Sequence, residues 1–324
     1  MARPIRHVPR DSSRRRLWVY LAVGTFLLVD IALIAFALGY TRSTDIAETA
    51  RPAPSFDAQV TSEPTATSEA APASVTVVSV PPARMISAVD DTTAWRAVSG
   101  ECPATAVVPE LTTDAGATWS TRDATAQTEV TAVQTLTATS DSILELVGLA
   151  ATDCAPQFVQ TFVGGDTFKA YPDKLGGAWF VNPADRAVVH SPAGDAAAPC
   201  ESVIALAPRD AKAAAVLCAD QTVFTTEDAA ETWSVPATVL GAVNVAATPM
   251  GYIFTAVGLA DCAGVQLTAL SAESLTIATT GCLLIGAPPE TLSGNIAVSE
   301  ASGTMWLWAG NELKRSSDGG MTWQ

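Results

Sequence analysis

An eight-residue phrase returns along this chain, and few folds can use it more than once. It reads "TTDAGATW" at 112–119, "TFVGGDTF" at 161–168, "TEDAAETW" at 226–233 and "SSDGGMTW" at 316–323. A worn fifth copy, "SAESLTI", occupies 271–277. The copies recur at intervals of about 45–65 residues, a period that suits propeller blades and not helical solenoids. Ahead of each lie short β-rich runs broken by turn residues, such as "SVIALAPRDAKAAAVLCADQTVFTTED". Runs of that kind predict four-stranded meanders.

The phrase has a local physical logic. In its last copy Asp318 can fold its carboxylate onto backbone N–H groups of a turn. Gly320 takes the positive φ that a Cβ resists. Thr322 and Trp323 then start the returning strand, with the indole as a large anchor. The equivalent residues are Thr112, Asp114, Gly116, Thr118 and Trp119 in the first copy. The second offers Thr161, Gly165, Thr167 and Phe168 but has Val163 for the aspartate. The third has Thr226, Asp228, Thr232 and Trp233, with Ala230 for the glycine, and the fourth opens on Ser316. An alanine at positive φ costs on the order of 1 kcal/mol, so the third turn is expected to differ.

The pattern S/T-x-D-x-G-x-T-W resembles the Asp-box of the bacterial neuraminidase repeat proteins. That family includes sialidases, sortilin-type receptors and photosystem II assembly factors, all of them β-propellers. The resemblance covers the head of the chain only. It implies that each box joins the third and fourth strands of a blade, away from the ligand face, as a folding device. The expected head is all-β: a propeller of about five four-stranded blades, with "GAWFVNPADRAVVHSPAG" (177–194) as a degenerate hairpin of a sixth. Trp323, beside the last position, predicts a final strand that closes the ring. The first blade or the β-branched stretch 74–80 completes the closure and hides the sheet edges.

Charge and hydropathy divide the rest. Six arginines and one acid precede Leu17, although the whole chain carries 18 Lys+Arg against 33 Asp+Glu and a net charge of -15. An acidic body repels phosphate backbones, so nucleic acid is not an expected partner. "LWVYLAVGTFLLVDIALIAFALGY" (17–40) is long enough to span a bilayer as a helix, with Trp18, Tyr20 and Tyr40 at its ends. The arginines put residues 1–16 in the cytoplasm and the head outside. An uncleaved anchor is favoured over a signal peptide cut at "AFA", because the apolar run exceeds an ordinary h-region. Asp30 interrupts the run near mid-bilayer, at roughly 2.5–3.5 kcal/mol on insertion scales. It is read either as a contact to another helix or as a tolerated, protonated acid. Residues 41–82, rich in Pro, Ser, Thr and Ala, form an expected disordered stalk, and 83–324 the extracytoplasmic head. The alanine-rich, lysine-poor composition fits an actinobacterial source.

All six cysteines lie in the head: Cys102, Cys154, Cys200, Cys218, Cys262 and Cys282. An even, exported set without C-x-x-C spacing favours disulfides over zinc. Of 15 connectivities, pairing of sequence neighbours is expected.

No residue pattern announces catalysis. Sialidase chemistry needs three arginines, a Tyr–Glu nucleophile pair and an aspartic acid; the head has few arginines, no F-R-I-P motif, and only Tyr171 and Tyr252 to serve. His190 is the lone histidine of the head and has no G-x-S-x-G partner. "AVDD" (88–91) lacks calcium-loop spacing and reads as a solvated edge. Trp306 and Trp308 read as packing between sheets ahead of sugar stacking. No cofactor or metal is expected. The leading function is a binding or scaffold module at the envelope for a protein or glycan. The alternatives are an envelope glycoside hydrolase with a divergent site, or an assembly factor for a membrane complex engaged through Asp30.

Overall fold

The computed structural model describes residues 74–324. The tail, the apolar segment with Asp30, and residues 41–73 lie outside it, so the anchor and the helix–helix contact remain expectations. Among the described residues no helix is long and apolar enough to cross a membrane.

Six antiparallel sheets make up the described chain, and together they form a six-bladed β-propeller. Blade 1 contains β1 (Arg84–Ala88), β2 (Ala94–Val98), β3 (Glu110–Thr112) and β4 (Ser120–Thr121). Blade 2, after the short helix α1 (Thr125–Thr128), contains β5 (Val130–Ala138), β6 (Leu144–Ala150), β7 (Pro156–Thr161) and β8 (Phe168–Ala170). A second short helix, α2 (Pro172–Leu175), leads into blade 3, which is β9 (Phe180–Val181), β10 (Val188–Ser191) and β11 (Gly194–Ala197). Blade 4 is β12 (Val203–Pro208), β13 (Ala214–Cys218), β14 (Thr222–Thr226) and β15 (Ala237–Thr238). Blade 5 is β16 (Ala242–Thr248), β17 (Gly251–Val257), β18 (Gly264–Ser271) and β19 (Ile277–Leu284). After α3 (Pro289–Leu292), blade 6 is β20 (Ile296–Ala301), β21 (Thr304–Ala309) and β22 (Glu312–Ser316). The stretch 177–194 is therefore the core of a sixth sheet, one of three strands.

The ring closes through its innermost strands. β1 packs on β5, β12 on β16, β16 on β20, and β20 returns to β1, while between β5 and β12 the contact is made through β9, which touches both. A sheet held between two others is covered on both faces, so its strands read as continuous apolar runs. Every residue of "AAVLC" in β13 and "TMWLWA" in β21 is buried accordingly. Apolar clusters fill the wedges between blades. Trp95, Leu144, Leu146 and Phe168 join blades 1 and 2, and Ile86, Ala94, Trp306 and Trp308 join blades 6 and 1.

Residues 74–82 correct the expected stalk boundary. They form no strand, yet they belong to the head. Val77 is 4% exposed within the core of blades 5 and 6. Val75 N donates to Gly258 O at 2.8 Å, Ser79 Oγ to Ala242 O at 2.7 Å, and Ser293 Oγ to Val78 O at 2.7 Å. The segment is strapped across one face and does not supply a sheet edge; closure rests on β20 against β1. At the other end, Gln324 N donates to Arg315 O at 2.9 Å and Arg315 N to Gln324 O at 3.1 Å, which starts an outer strand beside β22.

A second repeat, not read from the sequence, locks blade to blade. Trp306 Nε1 (β21) donates to Asp90 O at 2.9 Å, in the β1–β2 turn of the next blade. Trp95 Nε1 (β2) donates to Ser140 O in the β5–β6 turn at 3.1 Å, and Trp179 Nε1 to Asp210 O in the β12–β13 turn at 3.0 Å. Each receiving turn is pinned by its own side chain. Asp90 Oδ1 accepts Thr92 N and Thr93 N, Ser140 Oγ accepts Ser142 N and Ile143 N, and Asp210 Oδ1 accepts Lys212 N and Ala213 N. These backbone donors hold the Asp90 and Asp210 carboxyls below the usual range. The "AVDD" acids thus shape a turn that a neighbouring indole caps.

That repeat also shows which strand blade 3 lacks. Trp179 immediately precedes β9, whereas Trp95 and Trp306 lie on the second strands of their blades. Ser191, fully buried, ends β10 as buried Thr112, Thr161 and Thr226 end the third strands of theirs. So β9, β10 and β11 are a second, third and fourth strand. The innermost one is missing.

Candidate functional site

The repeated phrase forms one turn, built four times. Thr112 Oγ1 donates to Asp114 Oδ1 at 2.8 Å and accepts Gly116 N at 3.0 Å. Asp114 then takes Thr118 N at 2.9 Å and Thr118 Oγ1 at 2.5 Å. The set repeats around Asp228, with Thr232 N at 2.9 Å and Thr232 Oγ1 at 2.6 Å, and around Asp318, with Thr322 N at 2.8 Å and Thr322 Oγ1 at 2.6 Å. Donors from Thr118 and Thr322 hold the Asp114 and Asp318 carboxyls at about 2. Asp228 is lowered likewise, by Thr232 first. In blade 2, Thr161 Oγ1 still accepts Gly165 N at 3.0 Å, and Gln127 Oε1 takes Phe168 N at 2.8 Å where the aspartate is missing. Residues 271–277 make a plain tight loop with no carboxylate clasp. Each of the four turns follows the third strand of its blade.

Two details depart from the sequence reading. The third turn does not differ. Ala229 and Ala230 hold φ 61 and 70, matching Ala115 and Gly116 (66 and 87), Gly164 and Gly165 (66 and 83), and Gly319 and Gly320 (74 and 93). The clasp imposes the left-handed pair even where a Cβ resists it. A methyl at Gly320 would sit 2.5 Å from Leu267 Cδ1, so Gly320→Ala is expected to destabilise by about 1–2 kcal/mol. Ala230→Gly is expected to be near neutral, because lost strain is offset by a lost buried methyl of about 0.8 kcal/mol. Urea melts of the two variants check both values.

The aromatics of the phrase are the second departure. Phe168 is buried, but Trp119, Trp233 and Trp323 are only half-buried. The deep anchors are Trp95, Trp179 and Trp306, at 0%, 6% and 0% exposure. Trp119 instead stacks on the Arg96 guanidinium at 3.9 Å, which faces Trp308 at 4.7 Å, and Trp308 in turn faces Arg84 at 4.4 Å. Trp308 is packing, not a sugar platform. His190 is a strand residue, stacked on Phe180 at 4.5 Å with Nδ1 2.6 Å from Asp195 Oδ1.

The clasped turns and the tryptophan-capped turns share one face, because β-hairpins alternate ends. The opposite face holds the strap 74–82 and the three disulfides. These are Cys102–Cys154 between blades 1 and 2, Cys200–Cys218 between blades 3 and 4, and Cys262–Cys282 within blade 5. The expected neighbour pairing is the one found.

The central channel is a concavity of about 740 Å³, and it opens on the disulfide face. Its mouth carries Arg84, Arg186 and one carboxylate, Glu101. Arg186 Nε and Nη2 donate to Val203 O and Ile204 O at 2.7 and 3.0 Å, and Arg84 donates to Gly310 O. Burial lowers the pKa of both guanidinium groups. The wall is mainly apolar, with hydroxyls from Ser87, Ser99, Thr135, Thr137 and Ser299. Ser299 Oγ accepts Ala88 N at 3.0 Å and Ser87 Oγ accepts Ala138 N at 2.9 Å, so neighbouring blades are joined and each hydroxyl hydrogen is left to donate inside the channel. None of the clasp residues lines this channel. The arrangement offers donors, acceptors and apolar wall to a ligand.

Sequence reasoning missed the channel roles of Arg84 and Arg186 and the deep anchors Trp95 and Trp179; Trp306 was read as packing between sheets, and it packs there. The dipeptides "AW" (94–95), "AW" (178–179) and "MW" (305–306) were the available signal for the three tryptophans.

Among known proteins, no family model matches the chain, and no curated protein sequence matches it. Solved structures similar to it include YCF48 from Cyanidioschyzon merolae, at 16% identity, with 76% of this chain and 86% of that one covered and a TM-score of 0.37. A YCF48 bound to D1 peptide is 15% identical over 76% of this chain and 82% of that one, with a TM-score of 0.28. A GH74 xyloglucanase from Xanthomonas campestris is 14% identical, over 74% of this chain but 37% of its own length, with a TM-score of 0.30. The propeller is read from the strand topology above, and the ligands of those proteins stay with them.

Proposed function

We propose that the protein is a membrane-tethered, extracytoplasmic β-propeller of the Asp-box kind. On this reading it is a binding or scaffold module at the cell envelope, and the central channel is its ligand site. The observation that carries the reading is the chemistry of the channel lining. It holds one carboxylate, Glu101, beside two guanidinium groups already bonded to backbone carbonyls. Glycoside hydrolysis needs a pair of carboxyl groups about 5–9.5 Å apart, and the lining is built instead to hold a ligand through hydroxyls, backbone and small apolar groups. The tether supports an envelope location, with residues 1–16 inside, 17–40 spanning and the disulfide-bonded head outside.

Thr137 is an exposed residue of the channel wall whose side chain has no hydrogen-bond partner among the described residues, so Thr137→Trp fills the channel at small structural cost. Full-length protein in lipid nanodiscs, probed against glycan and peptide arrays, is expected to bind members of one array. Affinity is expected to fall at least tenfold in Thr137→Trp. Equal binding by the variant, or turnover of a glycan by the wild type, overturns the reading.

A further inference from the structure

Blade 3 starts at its second strand, and this leaves the inner edge of β9 open. Asn182 N donates to Val188 O at 2.9 Å, and β9 pairs with β10 through Phe180↔His190 and Val181↔Val189. Peptide groups alternate sides along an antiparallel strand. The N–H and C=O of Val181, and the C=O of Trp179, therefore point away from β10 toward the ring axis. Neither residue's backbone has a partner there among the described residues. Buried backbone groups are rarely left so, and Val181 is 7% exposed.

The space they face is a slot bordered by two cavities. The second, of about 420 Å³, is lined by Trp179, and it shares Thr135, Thr137 and Pro208 with the central channel. Those residues belong to β5 and β12, the inner strands on either side. The slot runs from Arg186, at the disulfide face, to Lys174 and Glu145 near the clasp face. It thus has the walls, length and hydrogen-bonding edge of an inner strand without the strand.

We propose that this slot is a peptide-binding site, which takes about five residues of a partner polypeptide in extended form as the missing inner strand, antiparallel to β9. The proposal rests on the channel being the ligand site and names the class of ligand. Main-chain bonds to Trp179 and Val181 supply affinity, as in other strand additions. Two open positions two residues apart match the repeat of a strand, and a five-residue strand covers roughly 17 Å. The side chains that fit are set by the five inner strands already in place, such as "IALA" in β12 and "IAVS" in β20. A partner segment of aliphatic residues with an occasional hydroxyl follows, with no bulky aromatic or paired charge.

The test uses the full chain in nanodiscs and decapeptides selected from a displayed library of Ala, Val, Leu, Ser and Thr. Bound peptide is expected to slow amide exchange across 179–181 at least tenfold, by mass spectrometry. N-methylation of the peptide at alternate residues is expected to weaken binding at least tenfold in one register and little in the other. That arm leaves the protein unaltered, so it stands even where Val181→Pro, expected to abolish binding, fails to fold. Three results overturn the slot: no peptide selected, exchange at 179–181 unchanged on binding, or amides already protected before peptide is added, which would mean the chain's own residues 41–73 occupy it. Ligands that bind and are lost in Thr137→Trp, with 179–181 unaffected, sink the slot and leave the channel reading standing. Ligands indifferent to Thr137→Trp sink the channel reading itself.

Discussion

Trp306→Ala is expected to lower the free energy of unfolding by about 3–5 kcal/mol, the range for a buried indole truncated in a packed core. The side chain is fully buried between blades 6 and 1. Its ring packs beside the Gly116 turn, and its Nε1 bonds Asp90 O of the neighbouring blade at 2.9 Å. Truncation opens a cavity at the junction where the ring closes, and it also strips a partner from a carbonyl. Trp306→Phe separates the two effects. It keeps most of the volume while removing the donor and part of the ring, for an expected loss of about 1–2 kcal/mol, well short of the alanine variant. Urea denaturation of both variants provides the comparison. A cost below about 1 kcal/mol for the alanine variant would mean that this junction does not hold the ring.

Removing the Cys102–Cys154 bridge, as the double serine variant, is expected to cost about 4 kcal/mol. The bridge closes 52 residues and ties the upper loops of two blades together, whereas the bridges Cys200–Cys218 and Cys262–Cys282 close 18 and 20. Chain-entropy reasoning gives about 3 kcal/mol for loops of the shorter length. The expected order of destabilisation is therefore the long bridge first, then the two short ones nearly alike. Chemical melts of the three double variants under non-reducing conditions would reveal the order. A smaller effect from the long bridge would place the stabilisation in native contacts and not in the unfolded chain.

The propeller was legible in the sequence because its clasp is local. Thr112, Asp114 and Thr118 fall within one turn, so their spacing survives in the string, and the same holds for Ser316, Asp318 and Thr322. Cysteine pairing was legible for a related reason, since bridges between adjacent loops join sequence neighbours. The channel was not legible. Arg84, Arg186 and Ser299 come from three blades, and no spacing in the chain records that a ring brings them together. The tryptophan-to-turn bonds escaped notice because each partner is a carbonyl in the next blade, 216 positions away for Trp306 and Asp90. Blade 3 was half legible. Its clasp is reduced to Ser191 and its inner strand is absent, so only a degenerate hairpin showed. Ala230 was misjudged because propensity was weighed without the clasp that overrides it.

Carbon-13 titration of the aspartate carboxyls addresses the clasp that blades 1, 4 and 6 share. Asp114 and Asp318 are expected to titrate at about 2, held down by the Thr118 and Thr322 donors. A depressed folded value means that the stabilisation is complete above the unfolded value of about 3.9 and is lost as pH falls through about 2. Carboxyls that instead titrate near the ordinary aspartate value of about 3.9 would show that the threonines do not grip them, and the turn that repeats around the ring would have to be held by something else.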